Sequence, residues 1–495
     1  MSDLSAALGM LLDPVTLFAG LLGAAVGMVI GVIPGLGPAI AIALALPLTI
    51  NMELAPSIAL LISLYCTSIY GGCVPSILLN VPGTPASAAT ALDGYQLAKR
   101  GKAGLALTLA TIGSAAGGVL SVMVLLLAAP ALARFALRFG PLELFLVGAF
   151  AITCVVLLDR RLYLRALISA LIGLLLASVG QDPVGGGMRL TFGYFPLAGG
   201  LQLVPLLIGL FAISEVILRT ARMAPAGTAF THRLGVEMPE RGFWRQGISL
   251  IGKSAAIGTV MGILPGAGPT AASFVSYAEA KRSTRGGVPL GEGNPKGVVA
   301  SETANNAVTG GALVPALSLG IPGDAITALI LAGLVMQGVV PGPRLYLDQN
   351  DIVMLILLSL LLANIGIITL GLMGLRLWTS VLRLPEPLVV AGVVMLATIG
   401  TFSTNNSTMD LTVMVLAGAL GAAMRLARIP VTPLIIAFVL APMLEVNLRQ
   451  ALVVYGTDWS VFLRRPIAGG LLLMIAAVIL WPLARRLAGL ISTRS

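Results

Sequence analysis

Apolar runs long enough to cross a bilayer, about 20 residues each, recur along the chain from Val15 to Leu490. The pattern predicts an all-α polytopic membrane protein with about twelve transmembrane helices. The first span is disturbed by "GVIPGLGPAI" at residues 31–40, which holds two prolines and three glycines. Proline removes a backbone donor and clashes with the preceding turn, while glycine tolerates unusual dihedrals and lets a ligand approach the backbone. The pattern "GVIPGLGP" returns at residues 262–269 as "GILPGAGP". In each half a second break follows, "PSILLNVPGTPAS" from Pro75 and "PALSLGIPGDAIT" from Pro315, with six residues between the first proline and a Pro-Gly pair in both. Two ordered motifs that occur twice define an internal repeat.

Composition agrees with the membrane assignment, since 57% of the 495 residues are hydrophobic and 10% charged, against about 25% charged in soluble domains. The start, "MSDLSAALGMLLDPV", has no Lys or Arg, so it lacks the basic region of a cleaved signal peptide and the first span is expected to be retained. Cys66, Cys73 and Cys154 form no CxxC pair and lie in apolar stretches, which suits small buried side chains. A single histidine, His232 in a polar loop, makes a zinc site or a Ser/His/Asp triad hard to build. The net charge of +10 comes from Lys and Arg in short clusters between spans. Such clusters mark cytoplasmic loops, and they do not point to nucleic acid.

The same clusters orient the halves. Between the two breaks the N-terminal half has no Lys or Arg, whereas the C-terminal half has Lys281, Arg282, Arg285 and Lys296. After the second break the bias reverses, with Lys99, Arg100 and Lys102 in the N-terminal half and only Arg344 in the C-terminal half up to Asp351. If basic loops face the cytoplasm, equivalent loops face opposite sides, which is an inverted-topology repeat built on Pro/Gly-interrupted helices or re-entrant hairpins. The expected organisation is an N-terminal transmembrane repeat over 15–218 and a basic cytoplasmic connector over 219–246. A C-terminal repeat over 247–446 and a last loop and helix over 447–495 complete it.

Broken backbone in hydrocarbon costs several kcal/mol per unsatisfied group, so it persists where protein, water or a ligand supplies partners. A helix that restarts after a break offers free N–H groups and about half a positive charge to a carboxylate. The alternative is a kink or a close crossing packed through small residues. The candidate substrate-binding residues are Gly35, Leu36, Gly37, Asn80, Gly83, Thr84 and Ser87 in the first half. In the second half they are Gly266, Ala267, Gly268, Asn305, Asn306 and Gly323. Tyr70, Thr90, Ser301 and Thr309 add hydrogen-bonding groups nearby. Asn80, Thr84 and Ser87 share a face if a helix runs from the Pro82-Gly83 break, and Glu302, Asn305 and Asn306 share one at i, i+3 and i+4. "SETANNAVTGG" can also be read as a loop with a helix cap, and "TFSTNNSTMD" at 401–410 as an exposed loop. Intramembrane acids are costly and usually functional, so Glu302 and Asp324 are candidates to carry a coupling proton or hold Na⁺. Asp324 can equally be a plain N-cap.

The stretches "YGGCVPSILLNVPGTPASAATALDGYQLAKRGKAG" and "SETANNAVTGGALVPALSLGIPGDAITALILAG", with both PGxGP elements, resemble the large membrane subunit of the tripartite tricarboxylate transporters, the TctA family permeases. The resemblance runs from Phe18 to Glu445. It implies a multi-pass permease of the bacterial inner membrane that works with a small four-span membrane subunit and a periplasmic solute-binding protein. It also implies uptake of tricarboxylates or related carboxylates driven by a Na⁺ or proton gradient, without ATP. No GxxxxGK[ST] occurs. The chain departs from the family pattern at Asp324, where a small neutral residue is expected after "GIPG". The other readings are an anion channel or a carrier of another substrate class, and a membrane enzyme. No acid/base or metal constellation supports the enzyme, so neither catalysis nor a cofactor is expected.

Overall fold

A computed structural model describes residues 2–158, 162–221, 235–240, 242–284, 287–456, 458 and 460–492. His232, Arg285 and much of the basic connector lie outside them. Helix α1 (Ser2–Leu12) leads into α2 (Pro14–Val32), which starts where Asp13 accepts hydrogen bonds from the N–H groups of Val15 and Thr16 ahead of a proline in the first turn. The first break separates α2 from α3 (Pro38–Thr49). Next come α4 (Leu54–Gly71) and α5 (Cys73–Leu79), joined through Gly72 into a 26-residue apolar rod that is buried except at its ends. After the second break run α6 (Ala88–Lys99), α7 (Ala103–Ala136), α8 (Pro141–Leu157) and α9 (Tyr163–Ala177). Strands β1 (Gly180–Gln181) and β2 (Met188–Arg189) pair antiparallel. Helices α10 (Leu203–Ile208) and α11 (Ser214–Thr220) are joined by a π-helical turn.

The second half follows with α12 (Phe243–Ile263), α13 (Gly268–Ser283), α14 (Pro295–Leu319) and α15 (Ala325–Met336). Helices α16 (Leu345–Asp348), α17 (Asn350–Met373), α18 (Leu375–Val381), α19 (Glu386–Asn405) and α20 (Thr408–Leu426) continue the chain. It ends in α21 (Thr432–Tyr455), α22 (Val461–Arg464) and α23 (Pro466–Ser492). Among the described residues, eight apolar helical segments are long enough to cross a membrane. Seven shorter apolar segments accompany them, and α3 and α15, which adjoin the breaks, are among these. The breaks are what shorten them.

The chain forms two compact units, residues 1–133 with 203–422 and residues 134–202 with 423–495. In the first, α2 packs on α4 through a glycine stripe, each position meeting a later part of α4: Gly23 against Leu60, Gly27 against Leu64, Gly31 against Ser68. A Cβ on Gly23 would stand 2.3 Å from the Leu60 carbonyl oxygen, so only glycine permits this approach. Because the contacts advance in step, α2 and α4 run parallel, and α3 must carry the chain back between them. The same arrangement recurs in α12 and α14, where Gly258 meets Ala304 and Gly262 meets Val308.

The second unit is built from α8, α9 and α21 to α23. Gly173 of α9 lies against the Leu434 backbone, and the Ser169 hydroxyl accepts from Leu434 N–H at 3.1 Å. Arg189 grips Glu445 through two bonds of 2.8 and 3.1 Å, while Arg449 pairs with Asp182 at 3.0 Å and Glu445 at 2.7 Å. Asp182 sits in the β1–β2 turn, where the Gly185 and Val184 N–H groups and Arg449 hold its carboxyl down to about 2.

Two sequence expectations are corrected here. "SETANNAVTGG" is the buried middle of α14, a helix that begins at Pro295 under an Asn294 cap, so the reading as a capped loop fails. Residues 401–410 are helical apart from a turn at 406–407; Thr401 is buried and Asn405 donates to Asp410 at 2.8 Å.

Candidate substrate and ion site

In each half the two breaks touch through the backbone. Gly35 N–H donates to the Gly83 carbonyl at 3.4 Å, and Gly266 N–H donates to the Gly323 carbonyl at 2.7 Å. Both donors have positive φ, +81° and +86°, the left-handed region that selects glycine. The next residues match as well: Leu36 N–H bonds Ile33 O and Ala267 N–H bonds Leu264 O, each at 3.2 Å. A Cβ on Gly83 would lie 2.7 Å from Gly72 Cα, and one on Gly323 would lie 2.7 Å from the Gly262 carbonyl oxygen. The Pro-Gly pairs are therefore packing points, and the N–H groups of Gly35 and Gly266 are already spent on them.

Beyond each Pro-Gly pair the chain restarts under a side-chain cap. In the first half the Thr84 hydroxyl accepts from Ser87 N–H and lies 2.9 Å from Ser87 Oγ, capping a 3₁₀ turn at Pro85–Ser87 ahead of α6. In the second, Asp324 Oδ1 accepts from Thr327 N–H at 2.7 Å and from the Thr327 hydroxyl at 2.8 Å, capping α15. Each cap faces a glycine of the PGxGP loop. A Cβ on Gly37 would find only the Thr84 methyl, at 3.9 Å, and one on Gly268 would find Asp324 at 3.7 Å. These are the roomy positions. Asn80 instead closes α5 in the left-handed conformation, φ +57°, as Gly320 closes α14 at +71°. Asn80, Thr84 and Ser87 therefore do not share one helical face as the spacing suggested.

Buried polar groups fill the adjoining core. Glu302 on α14 is fully buried and is held by Thr90 of α6 at 2.5 Å and Ser114 of α7 at 3.0 Å. Thr90 also contacts Ser301 at 2.9 Å, and Tyr70 meets Thr111 at 2.7 Å. One turn on from Glu302, both polar atoms of Asn305 and of Asn306 are buried with no hydrogen-bond partner among the described residues. The Tyr65 hydroxyl on α4, Thr303 Oγ1 and Asp324 Oδ2 are in the same condition. Leaving such groups unpaired costs about 1–3 kcal/mol each. Of these groups, Asp324 stands at the second break itself, directly after Pro322-Gly323. No group of three or more His, Cys, Asp or Glu able to hold a metal occurs among the described residues.

Several contributors escaped the sequence reading. Asp93 on α6 accepts from Tyr277 OH at 2.8 Å and from the N–H groups of Gly291, Gly293 and Asn294 at 2.9, 2.8 and 2.7 Å, pinning the loop before α14 to the other half. Tyr65 and Ser114 sit in apolar runs with no local signal. Arg219 was read as part of the connector, yet it reaches Gly35.

A sequence profile described as the tripartite tricarboxylate transporter TctA family matches residues 17–436. The "uncharacterized 52.8 kDa protein in TAR-I ttuC' 3'region" of Agrobacterium vitis is 34% identical over 416 residues, covering 84% of this chain and 83% of that protein. The "uncharacterized protein in TAR-II ttuC' 3'region" of the same organism is 35% identical over 215 residues, 43% of this chain and 89% of that protein. No solved structure matches significantly. With the profile spanning most of its helices, the chain belongs to the tripartite tricarboxylate transporter TctA family, the large membrane-embedded subunits of tricarboxylate transporters.

Proposed function

We propose that this chain is the carboxylate-translocating permease of a binding-protein-dependent secondary transporter, and that its substrate and coupling ion meet at the two paired breaks. One observation carries the reading: matched Pro/Gly breaks are each tied to their partner by a backbone hydrogen bond, and the second holds a buried carboxylate oxygen, Asp324 Oδ2, with no hydrogen-bond partner among the described residues. Interrupted helices around a central polar site are how many secondary transporters bind substrate and ion. The substrate-facing groups are Gly37, Thr84, Asn305, Asn306 and the Gly268 loop.

Asp324 is the better coupling residue of the two acids. Glu302 is satisfied by two hydroxyls, whereas Asp324 keeps one oxygen without a partner while the other caps α15. A buried carboxylate with no ion-pair partner among the described residues must be neutralised by a proton or a bound ion, and gradient coupling needs that exchange.

The helix order supports inverted repeats. With Lys99–Lys102 and Lys281–Arg282 both cytoplasmic, α2 starts outside and α12 starts inside. The repeats over 15–218 and 247–446, joined by the connector over 219–246, follow from this, with 447–495 as the final segment. The chain sits in a bacterial inner membrane with a four-helix membrane subunit and a periplasmic solute-binding protein. Uptake of labelled citrate, succinate and malate into vesicles holding all three components tests the reading. Saturable, gradient-dependent accumulation is expected; uptake that neither saturates nor depends on a gradient favours a channel and contradicts it.

A further inference from the structure

At the first break a guanidinium occupies the space that the absent side chain of Gly35 leaves. A Cβ there would stand 2.5 Å from Arg219 Nη2 and 2.9 Å from Glu215 Oε1. Arg219 comes from the last turn of α11, and Glu215, one turn earlier, accepts from its Nε at 3.1 Å. Glu386, which opens α19, lies 3.9 Å from its Nη1. Three elements, α11, α19 and the loop 33–37, thus converge on one cation.

The two acids hold it unequally. Arg219 and Glu215 are 15% and 17% exposed and make a close pair, whereas Glu386 is 38% exposed and its contact is long. Exposed pairs of that kind contribute little. The Gly35 N–H is already bonded to Gly83. The cation at this break is the guanidinium: its Nε is held by Glu215, and its two terminal nitrogens form the planar fork that meets a carboxylate through two parallel N–H bonds.

We propose that Arg219 is a carboxylate-binding residue of the transport path, and that Glu386 is an internal competitor which the substrate carboxylate displaces. This rests on the reading of the chain as a carboxylate carrier. It accounts for glycine at position 35 on two counts, the positive φ and the room the guanidinium takes. It also gives the first break an Arg–Glu ion pair where the second has the acid Asp324.

The test measures initial uptake rates in vesicles holding all three components, using whichever of labelled citrate, succinate and malate the wild type accumulates. Arg219→Gln is expected to raise KM about tenfold or more, as loss of a charged hydrogen-bonding pair does, with a smaller effect on Vmax, and Arg219→Lys to fall between. Glu386→Gln removes the competitor and is expected to lower KM. If Arg219→Gln fails to reach the membrane, Glu386→Gln decides alone: a lower KM supports the proposal and an unchanged KM overturns it. Wild-type uptake with unchanged KM in both variants overturns this inference and leaves the carrier reading standing. A wild type that accumulates none of the three carboxylates overturns the carrier reading and this inference with it.

Discussion

The N–H of Gly266 donates to the carbonyl of Gly323 at 2.7 Å, bringing together two loops more than fifty positions apart in the chain. Gly35 and Gly83 do the same in the first half. Each pair fixes the floor of a break, and Gly37 and Gly268 are the loop positions with room for a further carbon, beside the Thr84 and Asp324 caps.

Glycines at the floor and beside the caps should therefore respond differently. Gly83→Ala and Gly323→Ala place a methyl 2.7 Å from backbone atoms and should cost about 1–3 kcal/mol as overpacking, seen as a lower thermal unfolding temperature in detergent. Gly37→Ala should leave that temperature unchanged and alter uptake kinetics. Equal destabilisation at positions 37 and 83 would contradict the assignment.

Asp324→Asn keeps an oxygen for Thr327 and removes the charge. Uptake by this variant should lose most of its dependence on the Na⁺ or proton gradient while the protein keeps its membrane level. Wild-type ion dependence in the variant would reduce Asp324 to a cap.

The Asp93 junction should be a main determinant of stability. Asp93→Ala leaves three backbone donors and the Tyr277 hydroxyl without their acceptor, each costing about 1–3 kcal/mol if left unpaired. Tyr277→Phe removes one partner and should cost about 1 kcal/mol. The expected order of thermal stability is wild type, Tyr277→Phe, Asp93→Asn, Asp93→Ala. An Asp93→Ala protein as stable as Tyr277→Phe would show that the loop is held by other contacts.

Orientation is open to chemical mapping. Single cysteines near Lys99–Lys102 and at Lys281–Arg282 should resist an impermeant thiol reagent in intact cells and react once the membrane is opened. Labelling of only one of the two loops in intact cells would refute the inverted repeat.

The breaks were readable because proline and glycine announce themselves in any context, and the PGxGP loops are where the spacing put them. The direction of α3 was not, since periodicity reports which face is buried and says nothing about which way a helix runs. The parallel packing of α2 on α4 appears only through the order of contacts along Gly23, Gly27 and Gly31. Asp324 was legible as a cap because it follows Pro322-Gly323 directly. Thr84 and Ser87 were misassigned to one helical face because the turn at Pro85–Ser87 delays the helix to Ala88. Tyr65, Arg219 and Asp93 gain their roles from partners far along the chain, which no local pattern encodes.

The central claim, that the paired breaks enclose the transported carboxylate, is tested most directly by substrate protection at Gly37. In a background with Cys66, Cys73 and Cys154 replaced by alanine, Gly37→Cys should react with a small thiol reagent. The reaction should slow several-fold when the transported carboxylate is present and remain unchanged with glucose. A reaction rate indifferent to the carboxylate, in protein that still transports it, would place the substrate elsewhere.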